Sequence, residues 1–387
     1  MKAELINQFQ ERYKHAGELF FSPGRVNLIG EHTDYNGGMV FPCAITYGTY
    51  AVAALRKDQE VHFYSNNFAK KGEIVCDITS LHYDEKDDWA NYAKGVIYYV
   101  QEKGYRLSTG FDILIEGNIP NGAGLSSSAS LEVLIGTILK DLYDFDIDPI
   151  DIVKIAQEAE NKFVGMNCGI MDQFIIGMGK KDHAIALNTA TLAYTYAPVK
   201  LKDASIVIMN TCKQRGLMDS KYNERRKECE TALKELQTKA DIQNLCDLSV
   251  LEFDQIKDTI QSEERMRRAK HAIHENERVK LAINALSKDD LTTFGQLMNA
   301  SHISLRDDYE VTGIELDTLV EAAWKQPGTI GARMTGAGFG GCAIAIVSNP
   351  MIEAFQEKVR KEYLDKIGYA CDFYIASIGD GARKVVE

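Results

Sequence analysis

The pattern of apolar and polar residues predicts most of the secondary structure. We expect a strand where apolar and polar residues alternate and a helix where apolar residues recur every three or four positions. The predicted strands cover residues 38–44, 49–55, 61–65, 111–116, 342–347 and 371–378. The predicted helices cover residues 1–17, 131–143, 151–163, 220–240 and 263–286.

The order of these elements predicts the fold class. Strands dominate the first part of the chain, long helices follow, and strands return near the end, with no regular strand–helix alternation. A chain of 387 residues corresponds to about two domains of ~100–200 residues each. Helical signals give way to strand-like ones near residues 187–201. We therefore expect two α+β domains, residues 1–195 and 196–387.

Composition narrows the class of protein. The 45% hydrophobic and 26% charged content is ordinary for a globular protein, and the net charge of −12 argues against a nucleic-acid or anionic-membrane surface. The eight cysteines form no C-x-x-C pair, which favours reduced thiols over disulfides or a zinc site. The N-terminal pattern lacks the apolar core of a signal peptide, and no later apolar run is long enough for a membrane span. We therefore expect a cytoplasmic protein.

A loop of small residues lies between the predicted strand 111–116 and the helix 131–143. It contains Gly122, Ala123, Gly124, Leu125, Ser126, Ser127 and Ser128. Glycines allow the backbone to approach a ligand, and free N–H groups at a helix start favour a phosphate. Serine hydroxyls can bind phosphate or face Mg²⁺. A capped helix after a flexible turn remains the alternative. The Walker loop and the dinucleotide fingerprint are both excluded, because neither pattern is complete.

Residues 22–38 gather charged and polar groups in what we interpret as a packed loop. Arg25, Glu31, His32 and Asp34 lie within ten residues, with the apolar Val26, Leu28 and Ile29 between the first two. Such a cluster is costly to bury unless its members pair or bind a polar ligand. Carboxylates and an imidazole are suitable partners for sugar hydroxyls, whereas a solvated turn is the alternative.

Two further segments contain candidate chemistry. Asp172 lies in the glycine-rich, apolar segment 165–174, where it is either a helix cap or a buried carboxylate with a cationic partner. Segment 331–342 satisfies G-x-G-x-x-G, but a strand follows it, so we predict a glycine hairpin. The catalytic motifs of protein kinases are absent from the sequence. His271 and His274 are predicted to be surface side chains, and residues 234–239 and 265–270 solvated helical faces.

Taken together, residues 24–36, 122–129 and 331–342 resemble the signature motifs of the GHMP small-molecule kinase superfamily and, within it, the galactokinase family. The resemblance extends from about residue 21 to residue 378. The first motif is the most specific, and the second by itself indicates only the superfamily. The implied fold is a two-domain α+β GHMP kinase fold with its active site in the cleft between the domains.

The resemblance also implies a reaction and a set of site residues. The reaction would be ATP-dependent, Mg²⁺-assisted phosphorylation of the C1 hydroxyl of galactose, with Asp172 as base and Arg25 as its partner. The small-molecule partners would be galactose and ATP, without nucleic acid or membrane, and the protein would be a monomer. Galactose would be bound by Glu31, His32, Thr33, Asp34, Gly169 and Tyr222, with backbone near Gly338. ATP would be bound by residues 122–128 with Ser65 nearby, and Mg²⁺ by Ser128 and Glu160.

Two alternatives remain at this point. One is a kinase of the same superfamily that acts on another sugar, such as N-acetylgalactosamine, arabinose or galacturonate. The other is a sensor that binds galactose and ATP without catalysis. The intact loop of residues 122–128, which we call the serine loop, and Asp172 argue against the sensor.

Overall fold

The structure is a computed structural model that describes residues 2–120, 123–213 and 218–386, the first three residues of the last range by their backbone alone. Its α-helices are α1 (Lys2–Tyr13), α2 (Ala90–Glu102), α3 (Ser127–Leu142), α4 (Pro149–Glu158), α5 (Met171–Met178), α6 (Met218–Leu236), α7 (Val250–Ile256), α8 (Glu263–Ser287), α9 (Leu291–Asp307), α10 (Gly313–Trp324) and α11 (Ile352–Ile367). A π-helical segment, Ala159–Val164, continues α4.

The strands are β1 (Glu18–Asn27), β2 (Met39–Val40), β3 (Pro42–Leu55), β4 (Glu60–Ser65), β5 (Ile74–Asp77), β6 (Phe111–Gly117), β7 (His183–Asn188), β8 (Tyr194–Pro198), β9 (Ala204–Asn210), β10 (Thr329–Thr335), β11 (Cys342–Ser348), β12 (Asp372–Ala376) and β13 (Arg383–Lys384). They form a six-stranded sheet in the order β13-β1-β3-β6-β4-β5, a four-stranded sheet β10-β11-β9-β12 and a three-stranded sheet β2-β7-β8. In the first sheet β4 and β6 run parallel, whereas the other pairs are antiparallel.

The four-stranded sheet is buried on both faces. Side chains alternate across a strand, so Ile206 and Ile208 of β9 face one hydrophobic cluster, while Val207 and Met209 face another. The cluster around Ile206 also contains Val26 and residues of α8 and α9. This shared cluster joins the second sheet to the end of β1, where the candidate site begins.

The predicted mixture of helices and sheets is confirmed, and most predicted elements lie within a few residues of the observed ones. The glycine hairpin is confirmed as the connection between β10 and β11. The predicted division at residues 195 and 196 stays a prediction; the last strand, β13, pairs with β1 in the first sheet. Within the described residues, no helix combines the length and apolarity that a bilayer span requires.

Three predictions of strand position and side-chain exposure are wrong. Residues 22–27 belong to strand β1 rather than to a loop, because Pro23 and Gly24 form a bulge in a continuous buried strand. His271 is completely buried, with its ring between Ser304 Oγ at 2.9 Å and the carbonyl of Glu31 at 3.1 Å.

The segment 265–270 is likewise not a uniformly solvated face, since Arg268 is fully buried. Its guanidinium donates to Glu228 at 2.9 Å and to Glu310 at 2.5 Å. Glu228 on α6 and Glu310 in the connection between α9 and α10 compensate the charge, and the pattern of a single helix does not contain that information. The eight cysteines are free thiols, as predicted.

Candidate active site

A cavity of about 200 Å³ lies where the three sequence motifs meet. The end of β1, the start of α3, the start of α5 and the β10–β11 hairpin all contribute to its wall. Its lining residues are Arg25, Glu31, His32, Asp34, Gly124, Ser126, Ser127, Ser128, Glu160, Met166, Asn167, Cys168, Gly169, Met171, Asp172, Tyr222, Thr335, Gly336, Ala337, Gly338 and Gly341.

Arg25 and Asp172 form a two-pronged ion pair in this wall. Arg25 Nε donates to Asp172 Oδ1 at 2.8 Å, and Nη2 donates to Oδ2 at 2.8 Å. The third prong, Arg25 Nη1, donates to the carbonyl of Gly124 at 2.8 Å. The arginine thereby joins the carboxylate to the serine loop. Asp172 is in the first turn of α5, but the cap position belongs to Ile170, so the cap interpretation of Asp172 is wrong.

The serine loop contacts the same carboxylate directly. Ser126 Oγ donates to Asp172 Oδ2 at 2.5 Å. Ser126 precedes α3 and has a φ of +63°, the left-handed conformation that non-glycine residues rarely adopt. Gly24 makes this approach possible, because a Cβ there would lie 2.8 Å from the carbonyl oxygen of Leu125.

Some of the predicted nucleotide-binding residues line the cavity and others do not. Gly124, Ser126, Ser127 and Ser128 line the cavity, whereas Gly122 lies outside the described residues. The side chains of Ala123 and Leu125 are buried in the hydrophobic cluster beside β1. Ser65 is buried at the end of β4 and is not part of the cavity wall.

Glu31 is buried and already bonded within the protein. Its Oε1 accepts from the backbone N–H of Gly336 at 2.5 Å, and its Oε2 accepts from Asn27 Nδ2. Arg333 Nη1 lies 3.4 Å from Oε2. Burial raises the pKa of Glu31 to about 7, although Arg333 opposes that change. The carboxylate therefore connects the first motif to the glycine hairpin.

Asp34 faces the cavity beside Gly169. A Cβ at Gly169 would lie only 1.7 Å from Asp34 Oδ2, so only glycine fits at this position. Burial, together with the negative charge of Asp172, raises the pKa of Asp34 to about 6. Thr33 is buried outside the cavity wall, where its hydroxyl donates to the carbonyl of Met39 at 2.7 Å. It therefore stabilises the loop.

His32 and Tyr222 form an aromatic wall. Their ring centroids are 5.7 Å apart, and the ring centroid of Tyr309 lies 4.8 Å from that of the imidazole. His32 has a φ of +62°. Burial lowers the pKa of His32 to about 3, so its imidazole is neutral at physiological pH.

Ser128 and Glu160 fit a divalent cation. Burial raises the pKa of Glu160, and a hydrogen bond from Ser128 opposes that change. Glu132, a second buried carboxylate, lies behind it. Gln173 Nε2 donates to Glu160 Oε2 at 2.5 Å and to Glu132 Oε2 at 3.1 Å, whereas Glu132 Oε1 has no hydrogen-bond partner. Adjacent buried carboxylates and a hydroxyl are hard oxygen donors of the type that Mg²⁺ binds.

Among the residues described, no group of three or more acidic, histidine or cysteine side chains is arranged around one metal position. A cation here would therefore take its remaining ligands from water or from a bound phosphate, as Mg²⁺ commonly does.

Sequence reasoning missed four buried polar residues around the cavity: Glu132, Gln173, Tyr309 and Arg333. Glu132 had a detectable signal, because it is an acidic residue on the apolar face of the predicted helix 131–143. The other three had none, since their partners are remote in the sequence.

Comparison with known proteins identifies the class of this protein. The family model described as "GHMP kinases N terminal domain" matches residues 91–180, and "GHMP kinases C terminal" matches residues 282–365. A mevalonate kinase from Methanococcus jannaschii has a similar fold, with a TM-score of 0.68, 16% identity and coverage of 95% of this chain and 100% of that one. The fold and the cleft define a GHMP kinase.

More specific matches identify the family. The model "Galactokinase galactose-binding signature" matches residues 7–55. The galactokinases of Fusobacterium nucleatum and Ligilactobacillus salivarius are 59% and 58% identical, covering 100% and 99% of this chain and all of each relative. A crystal structure of Lactococcus lactis galactokinase complexed with galactose has a TM-score of 0.97 and 50% identity over 99% of this chain and 100% of that one. The chain belongs to the galactokinase family.

Proposed function

We propose that the cavity binds D-galactose and that its residues direct transfer of the γ-phosphoryl group of ATP to the sugar's C1 hydroxyl. The observation that supports this most directly is the Asp172 carboxylate. It faces the cavity while bonded to both Arg25 and Ser126 of the serine loop. A base and a phosphate-binding loop are thereby in contact, as transfer between a hydroxyl and a nucleotide requires.

Asp172 is the proposed base. As the C1 oxygen of the sugar bonds to the γ-phosphorus, the bond from that phosphorus to the β–γ bridging oxygen breaks and ADP leaves. The hydroxyl proton passes to the Asp172 carboxylate. A carboxylate contributes to such a step when it lies within hydrogen-bond reach of the hydroxyl.

Arg25 and the start of α3 supply positive electrostatic potential. Phosphoryl transfer depends on alignment and on stabilising the spread negative charge of the transferring group. Arg25 holds Asp172 in a fixed orientation and is only 4% exposed, so its charge acts with little screening by water. The N–H groups at the start of α3 face the same anion.

The sugar subsite consists of Glu31, His32, Asp34, Gly169 and Tyr222. Asp34 and His32 offer an acceptor and a donor to sugar hydroxyls, and Tyr222 offers an aromatic surface. Gly169 leaves the space that Asp34 needs. Both carboxylate oxygens of Glu31 accept hydrogen bonds from other residues of the protein. Glu31 is therefore also proposed to orient the glycine hairpin, through the backbone N–H of Gly336.

Mg²⁺ is proposed to bind Ser128 and Glu160. When bound, the ion supplies charge neutralisation for the phosphates of the nucleotide. Gln173 orients Glu160 toward the cavity by donating to one of its oxygens. ATP use and eight free thiols support a cytoplasmic, reducing location. The monomeric state stays a prediction that light scattering on the purified chain would test.

A sugar panel tests the proposal. The purified chain is incubated with ATP and Mg²⁺ plus galactose, N-acetylgalactosamine, arabinose or galacturonate, and ADP release is followed. We expect kcat/KM to be highest for galactose, with phosphorus NMR detecting an anomeric phosphate as product. A higher value for another sugar would identify a different kinase, and sugar binding without ADP release would identify a sensor.

A further inference from the structure

A continuous chain of hydrogen bonds extends from α6 to the wall of the cavity. Cys229 Sγ lies 3.1 Å from the hydroxyl of Tyr309, which lies 2.8 Å from the hydroxyl of Tyr35. The Tyr35 hydroxyl lies 2.8 Å from His32 Nδ1, and His32 Nε2 lies 3.2 Å from the carbonyl oxygen of Ala337 in the glycine hairpin. Cys229, Tyr309 and His32 are all buried.

The chemistry of the end groups gives this chain one direction. The carbonyl of Ala337 can only accept, so the neutral His32 carries its proton on Nε2. His32 Nδ1 is then an acceptor, and the Tyr35 hydroxyl donates to it. Having used its only proton, the Tyr35 oxygen accepts from Tyr309, which in turn accepts from the thiol of Cys229.

We infer that Tyr35 and Tyr309 are positioning residues that determine sugar specificity by holding the His32 imidazole in place through its Nδ1, with its Nε2–H at the cavity wall. This inference rests on the proposed contact between His32 and a sugar hydroxyl. The Ala337 carbonyl selects the Nε2–H tautomer, and the hydrogen bond that Tyr35 donates to Nδ1 holds the orientation of the ring. Tyr309 in turn fixes the direction of the Tyr35 hydroxyl.

The surroundings explain why the chain stays ordered. The Tyr309 ring lies 4.6 Å from the ring of His271, and His271 is bonded to Ser304 and to the carbonyl of Glu31. Cys229, Tyr309 and His32 are buried and Tyr35 is half-buried, an environment in which hydrogen bonds polarise and strengthen one another. Without the Tyr309 hydroxyl, the Tyr35 hydroxyl loses the hydrogen bond that fixes its direction. The imidazole is then held less firmly at Nδ1, so its Nε2–H is positioned less precisely for a sugar hydroxyl.

The test compares substrates that lack single hydroxyls. We would measure kcat/KM for galactose and a set of monodeoxy galactoses with the wild-type chain and with His32→Phe, Tyr309→Phe and Tyr35→Phe. The His32→Phe variant keeps an aromatic ring and removes both ring nitrogens, so it identifies the hydroxyl that His32 contacts by the loss of discrimination there. We expect Tyr309→Phe to lose about five-fold of the discrimination at that same hydroxyl and none at the others, with KM for ATP unchanged.

Tyr143→Phe is the matched control. It removes a hydroxyl that donates to the carbonyl of Thr109 at 2.6 Å, remote from the cavity, and it should retain full discrimination. If Tyr309→Phe does not fold, Tyr35→Phe breaks the chain one link closer to His32 and must produce at least the same loss.

The outcomes distinguish the positioning role of the two tyrosines from the sugar contact of His32. A folded Tyr309→Phe or Tyr35→Phe variant with unchanged discrimination at the His32-dependent hydroxyl would overturn the positioning role and leave the proposed function intact. An unchanged pattern in His32→Phe would overturn the sugar contact of His32 itself, and the positioning role with it. Nitrogen-15 NMR of labelled histidine gives an independent readout, since the Nδ1 resonance of His32 should shift in Tyr309→Phe as its hydrogen bond from Tyr35 weakens.

Discussion

Arg25 and Asp172 lie 147 residues apart in sequence, yet two hydrogen bonds of 2.8 Å join the guanidinium to the carboxylate. The two side chains differ in exposure: Arg25 is 4% exposed and Asp172 is 28% exposed. The arginine is held within the protein, while the carboxylate it orients remains open to the cavity. This asymmetry suits an Asp that reacts with a ligand and an Arg that determines where the Asp points.

Replacing Asp172 with Asn should remove the base while preserving side-chain shape. We expect kcat to fall at least about 100-fold, because positioned general bases contribute roughly 10²–10⁴-fold. ATP binding, measured by calorimetry, should stay within about three-fold of wild type, since the nucleotide contacts are made by the serine loop. Near-normal turnover in a folded variant would remove the base assignment.

Arg25→Lys should lower kcat far more than it changes KM for galactose. A lysine keeps the charge but lacks the planar fork that bonds both oxygens of Asp172. We expect kcat to fall roughly 10²–10³-fold, as for the loss of an electrostatic donor at a reacting centre.

Arg56→Lys provides the matched control for that substitution. Arg56 makes a similar two-pronged pair with Asp58, at 2.8 and 2.7 Å, on a surface turn away from the cavity. It should retain wild-type kinetics. An Arg25→Lys enzyme with unchanged kcat would refute the role of the fork.

Glu160→Gln should weaken the binding of the divalent cation. An amide oxygen is a poorer ligand for a hard cation than a carboxylate, so the Mg²⁺ concentration for half-maximal rate should rise at least about 10-fold. Electron paramagnetic resonance of Mn²⁺ in the presence of ATP would report the loss independently of turnover. Glu158→Gln, which removes a carboxylate paired with Lys162 on the preceding helix, should change neither quantity.

Asp34 should give galactose binding an acid limit near pH 6. Its pKa is raised by burial, from 3.8 to about 6, so below that pH the carboxyl is protonated and loses acceptor capacity. KM for galactose should therefore rise as pH falls from 7 to 5. Asp34→Asn should have a high KM that no longer changes over this range.

The same shift has a consequence for stability. The folded pKa of Asp34 exceeds its unfolded value, so ionisation opposes folding, and this contribution destabilises the protein increasingly from about pH 4 to pH 6. The Tm of Asp34→Asn relative to that of the wild type should therefore increase from pH 4 to pH 7. A difference in Tm that is constant with pH would contradict the raised pKa.

Arg333→Met tests the buried charge network that connects the first motif to the hairpin. Arg333 is fully buried, donates to the carbonyl of Asn27 at 3.0 Å, and lies near the carboxylates of Glu31 and Glu275. Without the Arg333 charge, the buried carboxylates of Glu31 and Glu275 lose a cationic neighbour. The free energy of unfolding should therefore fall by about 3–5 kcal/mol.

Arg306→Met is the comparison for that measurement. Arg306 is 33% exposed and pairs with Asp307 at the surface, so its loss should cost at most about 1 kcal/mol. Chemical denaturation of both variants would compare the two losses. Equal losses would show that the Arg333 network adds nothing beyond an ordinary surface ion pair.

Local sequence predicted the elements whose signals are local. Helix α3 and strand β6 follow from apolar spacing, and the glycine hairpin follows from its composition and from the strand after it. Strand β1 was missed because Pro23 and Gly24 are typical of turns, whereas here they form a bulge inside a buried strand. Because of these two residues, the sequence pattern did not predict the strand that contains Arg25.

By itself, the sequence determined the α+β class, the residue types available for chemistry and the three motifs that resemble the GHMP kinases. The residues around Asp172 allowed either a helix cap or a paired carboxylate, the resemblance implied the pair with Arg25, and the tertiary structure contains that pair. Only the tertiary structure decided that His271 and Arg268 are buried. The physical reason is that hydrogen bonds and desolvation depend on which remote side chains meet, and the periodicity of one element records only which of its faces is apolar.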